Sequence, residues 1–165
     1  LSGNRRRHDV LLVNIRHGDV YSTVRFLEES MDTNECYIYF ALDGDDFNMD
    51  NVTETIGIQP TDKVKNLKRG AEFPNFSSWQ VRTRKVVNEI IDVDKLSKEI
   101  LSQLFSKVVE INEVRQKFCL KARLEVVIWF TDDENQSTPA IGFDTDTINF
   151  LSKIGAFIDV DTYIH

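Results

Sequence analysis

The sequence predicts an α+β fold, an antiparallel or mixed sheet with helices packed mainly on one face, in the order β-α-β-β-α-β-β-α-β with two similar ends. Three observations predict it. Short stretches of apolar alternation recur from residue 36 to residue 164, apolar stripes at helical spacing separate only some of them, and tight turn clusters join the neighbours. Parallel doubly wound folds need a helix after every strand, which this order lacks.

Cys36–Leu42 is rich in β-formers and runs into Asp43, Gly44, Asp45 and Asp46, a turn cluster that stops a strand. A short helix follows, capped by Asp46, Asn48 or Asp50, carrying Val52 and Ile56 as an i, i+4 pair and ending at Gly57. Thr61–Lys65 reads as a strand. Trp79–Val86 alternates Trp79, Val81 and Thr83 with Gln80, Arg82 and Arg84, a strand with one wet face on which Arg82 and Arg84 point outward together. Leu96, Ile100, Leu101, Leu104, Phe105 and Val108 form the stripe of the main helix, with Asp94 as N-cap. Glu110–Lys117 either continues that helix or forms another after a kink. Leu124, Val126, Ile128 and Phe130 share one face of a central strand whose other face shows Glu125, Val127 and Trp129. After a polar loop, Thr138–Phe143 is expected as a short strand. Asp144 or Thr145 caps a helix with Ile148, Leu151 and Ile154, Gly155 ends it, and Phe157–Ile164 is the last strand. The ends echo each other in Ile56-Gly57-Ile58 and Ile154-Gly155-Ala156, where glycine suits φ > 0.

The 165 residues fit one domain, assigned to 31–165, with residues 1–30 as an N-terminal extension whose place in the native domain is left open. Val10–Ile15 within it reads as a strand and Val20, Val24 and Leu27 as a helix face. Arg5, Arg6 and Arg7 before Val10–Val13 imitate a secretory leader, but Asp9, Asn14, Arg16 and Asp19 bound the apolar run too tightly. The longest apolar run, Val126–Phe130, is far short of the roughly 20 residues a membrane helix needs. Two cysteines, Cys36 and Cys119, make no disulfide framework and read as small core residues, so a reduced, cytoplasmic setting is expected.

Charge is polarised. The formal net charge is −7, and residues 31–165 carry a net −8. Within them, segment 60–85 holds Lys63, Lys65, Lys68, Arg69, Arg82, Arg84 and Lys85 against Asp62 and Glu72. Its cations are interleaved with Phe73, Phe76 and Trp79, a composition suited to an anion or to stacked bases. The competing reading packs those rings into the core and balances the cations with acidic neighbours.

The strand ending Gly44-Asp45-Asp46-Phe47-Asn48, the run Ile56-Gly57-Ile58-Gln59-Pro60-Thr61, Gly70 followed by Trp79, and the ending Ile154-Gly155-Ala156-Phe157-Ile158-Asp159-Val160-Asp161-Thr162-Tyr163 carry a resemblance. Over about residues 36–164 the chain resembles the bacterial family catalogued as domain of unknown function 4279. It departs from that pattern at Met49, where proline is common, and in the extension ahead of Met31. The resemblance implies no catalytic residue or cofactor. Some relatives sit in toxin and immunity settings, which implies protein binding.

Other chemistries fare poorly. Arg16-His17-Gly18 is similar to the phosphohistidine motif of histidine phosphatases, but the only other histidines are His8 and His165, and Asp19 explains the turn as a helix cap. The acidic clusters Asp43, Asp45, Asp46 and Asp50, Asp144 and Asp146, and Asp159 and Asp161 suggest hard cations, yet they lack the EF-hand glycine and distal glutamate, and capping accounts for most of them. Asp159 and Asp161 share one side of a strand and read as a solvated face. Nucleotide-loop, serine-hydrolase and zinc signatures are absent.

The expectation is therefore a non-enzymatic protein-interaction module of the immunity or accessory kind, whose acidic body suits a basic partner. The alternative is a sensor for a small anionic ligand or nucleic acid, bound through Lys68, Arg69, Trp79, Arg82 and Arg84. A phosphatase using His17 is a third reading. No cofactor, metal or membrane is implied.

Overall fold

A computed structural model describes residues 33–67, 76–87 and 90–165. The chain divides between Met31 and Asp32, and every described element belongs to the unit Asp32–His165. The strand and helix expected in the extension, the His17 motif, and Lys68, Arg69, Gly70 and Phe73 lie outside the described residues.

Strand β1, Glu35–Gly44, is the axis of the molecule. Among the described residues it is followed by helix α1 (Met49–Ile56), strands β2 (Asp62–Leu67), β3 (Phe76–Arg82) and β4 (Val86–Val87), helix α2 (Val93–Leu104), a 3₁₀ turn at Phe105–Lys107, helix α3 (Val108–Phe118), strand β5 (Lys121–Phe130), helix α4 (Thr145–Lys153) and strand β6 (Ala156–Ile164). The sheet runs β2-β3-β1-β5-β6, with β4 beside the start of β1. All pairings are antiparallel except β5 with β6. The fold is α+β with a mixed sheet, as the alternation predicts.

One face of this sheet carries the core. Cys36, Ile38, Phe40 and Leu42 of β1, Leu124, Val126 and Ile128 of β5, and Trp79 and Val81 of β3 meet Val52 and Ile56 of α1, Leu96, Ile100 and Leu101 of α2, Ile111 and Val114 of α3, and Phe150 and Leu151 of α4. A period of two in the strands and of 3.6 in the helices places these residues on facing surfaces. The cluster is continuous, so burying it supplies most of the drive to fold.

Caps fix the helix boundaries. Asn48 Oδ1 accepts from the amides of Asp50 and Asn51, and Gly57, at φ 74°, closes α1. Asp144 Oδ1 accepts from the Thr147 amide to start α4, after which Gly155 turns at φ 56°. An added Cβ at Gly155 would lie 2.9 Å from Arg115 Nη1, whose guanidinium donates to the Ile154 and Gly155 carbonyls. Thus α3 clamps the α4–β6 turn, and the left-handed backbone there favours glycine.

Several expectations change. Asp92, not Asp94, caps α2, because Asp94 is already inside the first turn, where it holds Lys98 and the Asp144 amide. The 3₁₀ turn separates α2 from α3, deciding for two helices. Thr138–Phe143 makes no strand; its ordered contact is a single bridge from Ala140 to Asp92. In α4 the buried stripe is Thr147, Phe150, Leu151 and Ile154, while Ile148 faces out.

Cys119 is not a core residue. It is exposed and ends α3 at φ 54°, the left-handed conformation that costs an L-residue about 1–2 kcal/mol. Cys119→Gly is expected to raise stability by about 0.5–1 kcal/mol, since relief of that strain exceeds glycine's entropic loss. Denaturant titration measures it, and an unchanged or lower midpoint would count against the account.

Candidate functional site

The described helices all pack on one side of the sheet, leaving the opposite face to its own side chains. Strand register states which ones. On β1 they are Glu35, Tyr37, Tyr39, Ala41 and Asp43, opposite Trp129, Val127, Glu125, Arg123 and Lys121 of β5. Arg123, Glu125, Val127 and Trp129 in turn align with Phe157, Asp159, Asp161 and Tyr163 of β6. From β3 come Ser78, Gln80 and Arg82.

Rings form a row across three strands. Trp129 stacks on Tyr163 with centroids 5.2 Å apart, Tyr37 lies 5.7 Å from Trp129 at a tilt, and Tyr39 continues the row 6.3 Å from Tyr37. Offset contacts of this kind each add about 0.5–1.5 kcal/mol beyond area burial. Cations lie over the rings: the Arg82 guanidinium is 3.9 Å from the Tyr37 centroid, and Lys85 Nζ is 4.9 Å from that of Trp129.

Beside the row is a charged cluster centred on Arg123. Its Nε donates to Asp43 Oδ2 at 3.1 Å, its Nη1 to Glu125 Oε2, and Nη1 is 3.8 Å from Asp159 Oδ2. Ser78 donates to Asp43 Oδ1 at 2.6 Å and receives from Gln80. Glu125 is 1% exposed. Burial, then the carboxylates of Asp159 and Asp161, push it up to about 7 against the pull of Arg123. Burial likewise pushes the Tyr39 phenol up to about 12. The cluster is largely self-neutralised on the β1 side, while Asp159 and Asp161 remain open to solvent on the β6 side.

Of the residues expected to bind an anion, Lys68 and Arg69 lie outside the described residues, and Trp79, Arg82 and Arg84 are not brought together. Trp79 is wholly buried, its indole N–H donating to Thr53 Oγ1, so its ring offers no platform. Arg82 stacks on Tyr37 and lies 3.8 Å from Asp62. Arg84 lines a hollow with Val86, Ile90, Asp92, Lys95, Leu96 and Glu99, against α2. The two arginines therefore lie on different sides of the sheet. The cause is one extra residue: Tyr39 pairs with Arg82, whereas Cys36 pairs with Val86, so segment 83–85 is a bulge that inverts the alternation. Lys63 is held by Asp50 at 2.6 Å and Lys85 by Glu35.

The acidic clusters also resolve into separate duties. Asp144 caps α4 and binds Lys98, whose hydrogen bond holds its carboxyl down at about 2. Among the described residues, no three His, Cys, Asp or Glu side chains converge as a metal site. The Cys36 thiol is pushed up to about 12 by burial, which keeps it from acting as a nucleophile near neutral pH. No described helix is long and apolar enough to cross a membrane.

The aromatic row escaped the sequence reading although its signal was present. Tyr37 and Tyr39 alternate with Ile38 and Phe40, and Tyr163 continues the parity of Asp159 and Asp161; only the register of β1, β5 and β6 joins them.

Residues 34–165 match the family described as Domain of unknown function (DUF4279). No curated protein and no solved structure matches the chain.

Proposed function

The chain belongs to the DUF4279 family, and we propose that it is a non-enzymatic protein-interaction module of the immunity or accessory kind, receiving a basic polypeptide on the helix-free face of its sheet. One observation carries the reading: the row Tyr39, Tyr37, Trp129 and Tyr163 crosses to β6, where half-exposed Asp159 and exposed Asp161 share its face. Rings supply contact area at low entropic cost and a face for cations, and carboxylates accept from lysine or arginine. The net charge of −7 favours encounter with a positively charged partner. An anionic ligand is less well served, because Arg82, Lys85 and Arg123 on this face already lie over rings or against carboxylates, and Lys121 at its margin stands apart from them.

A fluorescein-labelled octa-arginine peptide tests the site. Removing two charges from the face, as Asp159→Asn with Asp161→Asn, is expected to weaken binding about tenfold, equivalent to about 1.4 kcal/mol. Removing two from the exposed helix side, as Glu54→Gln with Glu113→Gln, is expected to change it less than twofold. Equal losses would mean attraction to net charge alone and would sink the reading.

A further inference from the structure

Strand β6 pairs with β5 on one side, and among the described residues no strand pairs with it on the other. Exposed strands are normally shortened, bulged or studded with lysine or proline, which discourages further pairing. β6 has none of these: it is nine residues long, contains no lysine or proline, and keeps an unbroken register with β5 from Ala156 to Ile164. It also concentrates apolar exposure, with Phe157 49%, Val160 37%, Tyr163 45% and Ile164 79% exposed. Its only charges are Asp159 and Asp161, both on the aromatic face.

Resting on the reading of that face as a protein interface, we propose that the partner is held by strand addition to β6. The added segment is extended, with lysine or arginine at alternate positions and apolar residues between. Its basic side chains lie beside Asp159 and Asp161, and its apolar ones extend the surface of Ile158 and Val160 on the other face. The backbone groups of β6 that pair with no described strand provide pairing, and the alternation provides selectivity. A second copy of this chain fits less well. Antiparallel pairing of two β6 strands about Val160 sets Asp159 opposite Asp161 twice, and like charges directly opposite destabilise a ladder.

The test uses the full chain and a fluorescein-labelled seven-residue peptide alternating valine and lysine. Three outcomes are expected together: binding weakened at least tenfold when every peptide amide is N-methylated, weakened severalfold by Asp159→Asn with Asp161→Asn, and accompanied by slowed hydrogen exchange at alternate β6 amides. Methylation changing affinity less than twofold, or no β6 amide gaining protection, overturns strand addition. If octa-arginine still separates the face variant from the helix-side variant in that case, the interface survives and only the pairing falls. A dimer in sedimentation whose β6 amides are protected without peptide also overturns the proposal, giving the strand to a second copy.

Discussion

Trp79→Ala is expected to destabilise the protein by about 3–5 kcal/mol. Trp79 is 0% exposed, among the largest wholly enclosed side chains, and sits on β3 opposite Leu42 with its indole N–H bonded to Thr53 of α1. Truncation removes the ring's packing and leaves a cavity between sheet and helix that neighbours fill only partly. Thr53 loses a donor but keeps its own bond to the Met49 carbonyl. Trp79→Phe should therefore cost less, about 1–3 kcal/mol, since most of the volume remains and one buried bond is lost. For a chain of this size the alanine loss corresponds to a Tm lower by roughly 6–20 °C. Calorimetry across the two variants checks the ranking. A Trp79→Ala protein that melts within about 2 °C of the parent would mean that the ring is not enclosed as described, and would reopen its use as a ligand platform.

That residue shows where sequence reasoning succeeds and where it stops. Alternation assigns Trp79 to the inner face, because the period of two is a local property of any strand. The same rule applied to Arg82 and Arg84 fails, because a single inserted residue at 83–85 reverses parity, and nothing in Thr83-Arg84-Lys85 announces it. Helix ends were legible for the same local reason: Asn48, Gly57, Asp144 and Gly155 act on their own neighbours. The missing strand at Thr138–Phe143 is the opposite case. Among the described residues its β-formers find only Asp92 to pair with, and pairing is decided by distant chain. The candidate face is legible only in halves, since Glu125, Asp159 and Asp43 come from three strands that tertiary register alone aligns.

Those three carboxylates lead to the second large effect. Arg123→Met is expected to cost about 3–5 kcal/mol at pH 8, the usual loss when one partner of a buried ion pair is removed and the other is left uncompensated. The side chains of Arg123 and Glu125 are 13% and 2% exposed, so solvent screens them little. The loss should depend on pH in a definite direction. Glu125 already stands at about 7 in the folded protein, above its ordinary 4.5. Between those values the native state holds more protons than the unfolded chain, so its contribution to stability is greatest below about 4.5 and falls as pH rises through about 7. Without the guanidinium the folded value climbs further, because burial and the carboxylates of Asp159 and Asp161 on β6 remain while the opposing cation is gone. The difference between Arg123→Met and parent should therefore be smaller at pH 5, where Glu125 is protonated in both, and grow to pH 8. Adding Glu125→Gln should recover a large part of the alkaline loss by removing the uncompensated charge. Urea titrations at pH 5 and pH 8 on the parent, the single variant and the double variant make the comparison. An equal loss at the two pH values, with no recovery by Glu125→Gln, would show that Arg123 stabilises by packing over Tyr39 rather than by holding the carboxylates together.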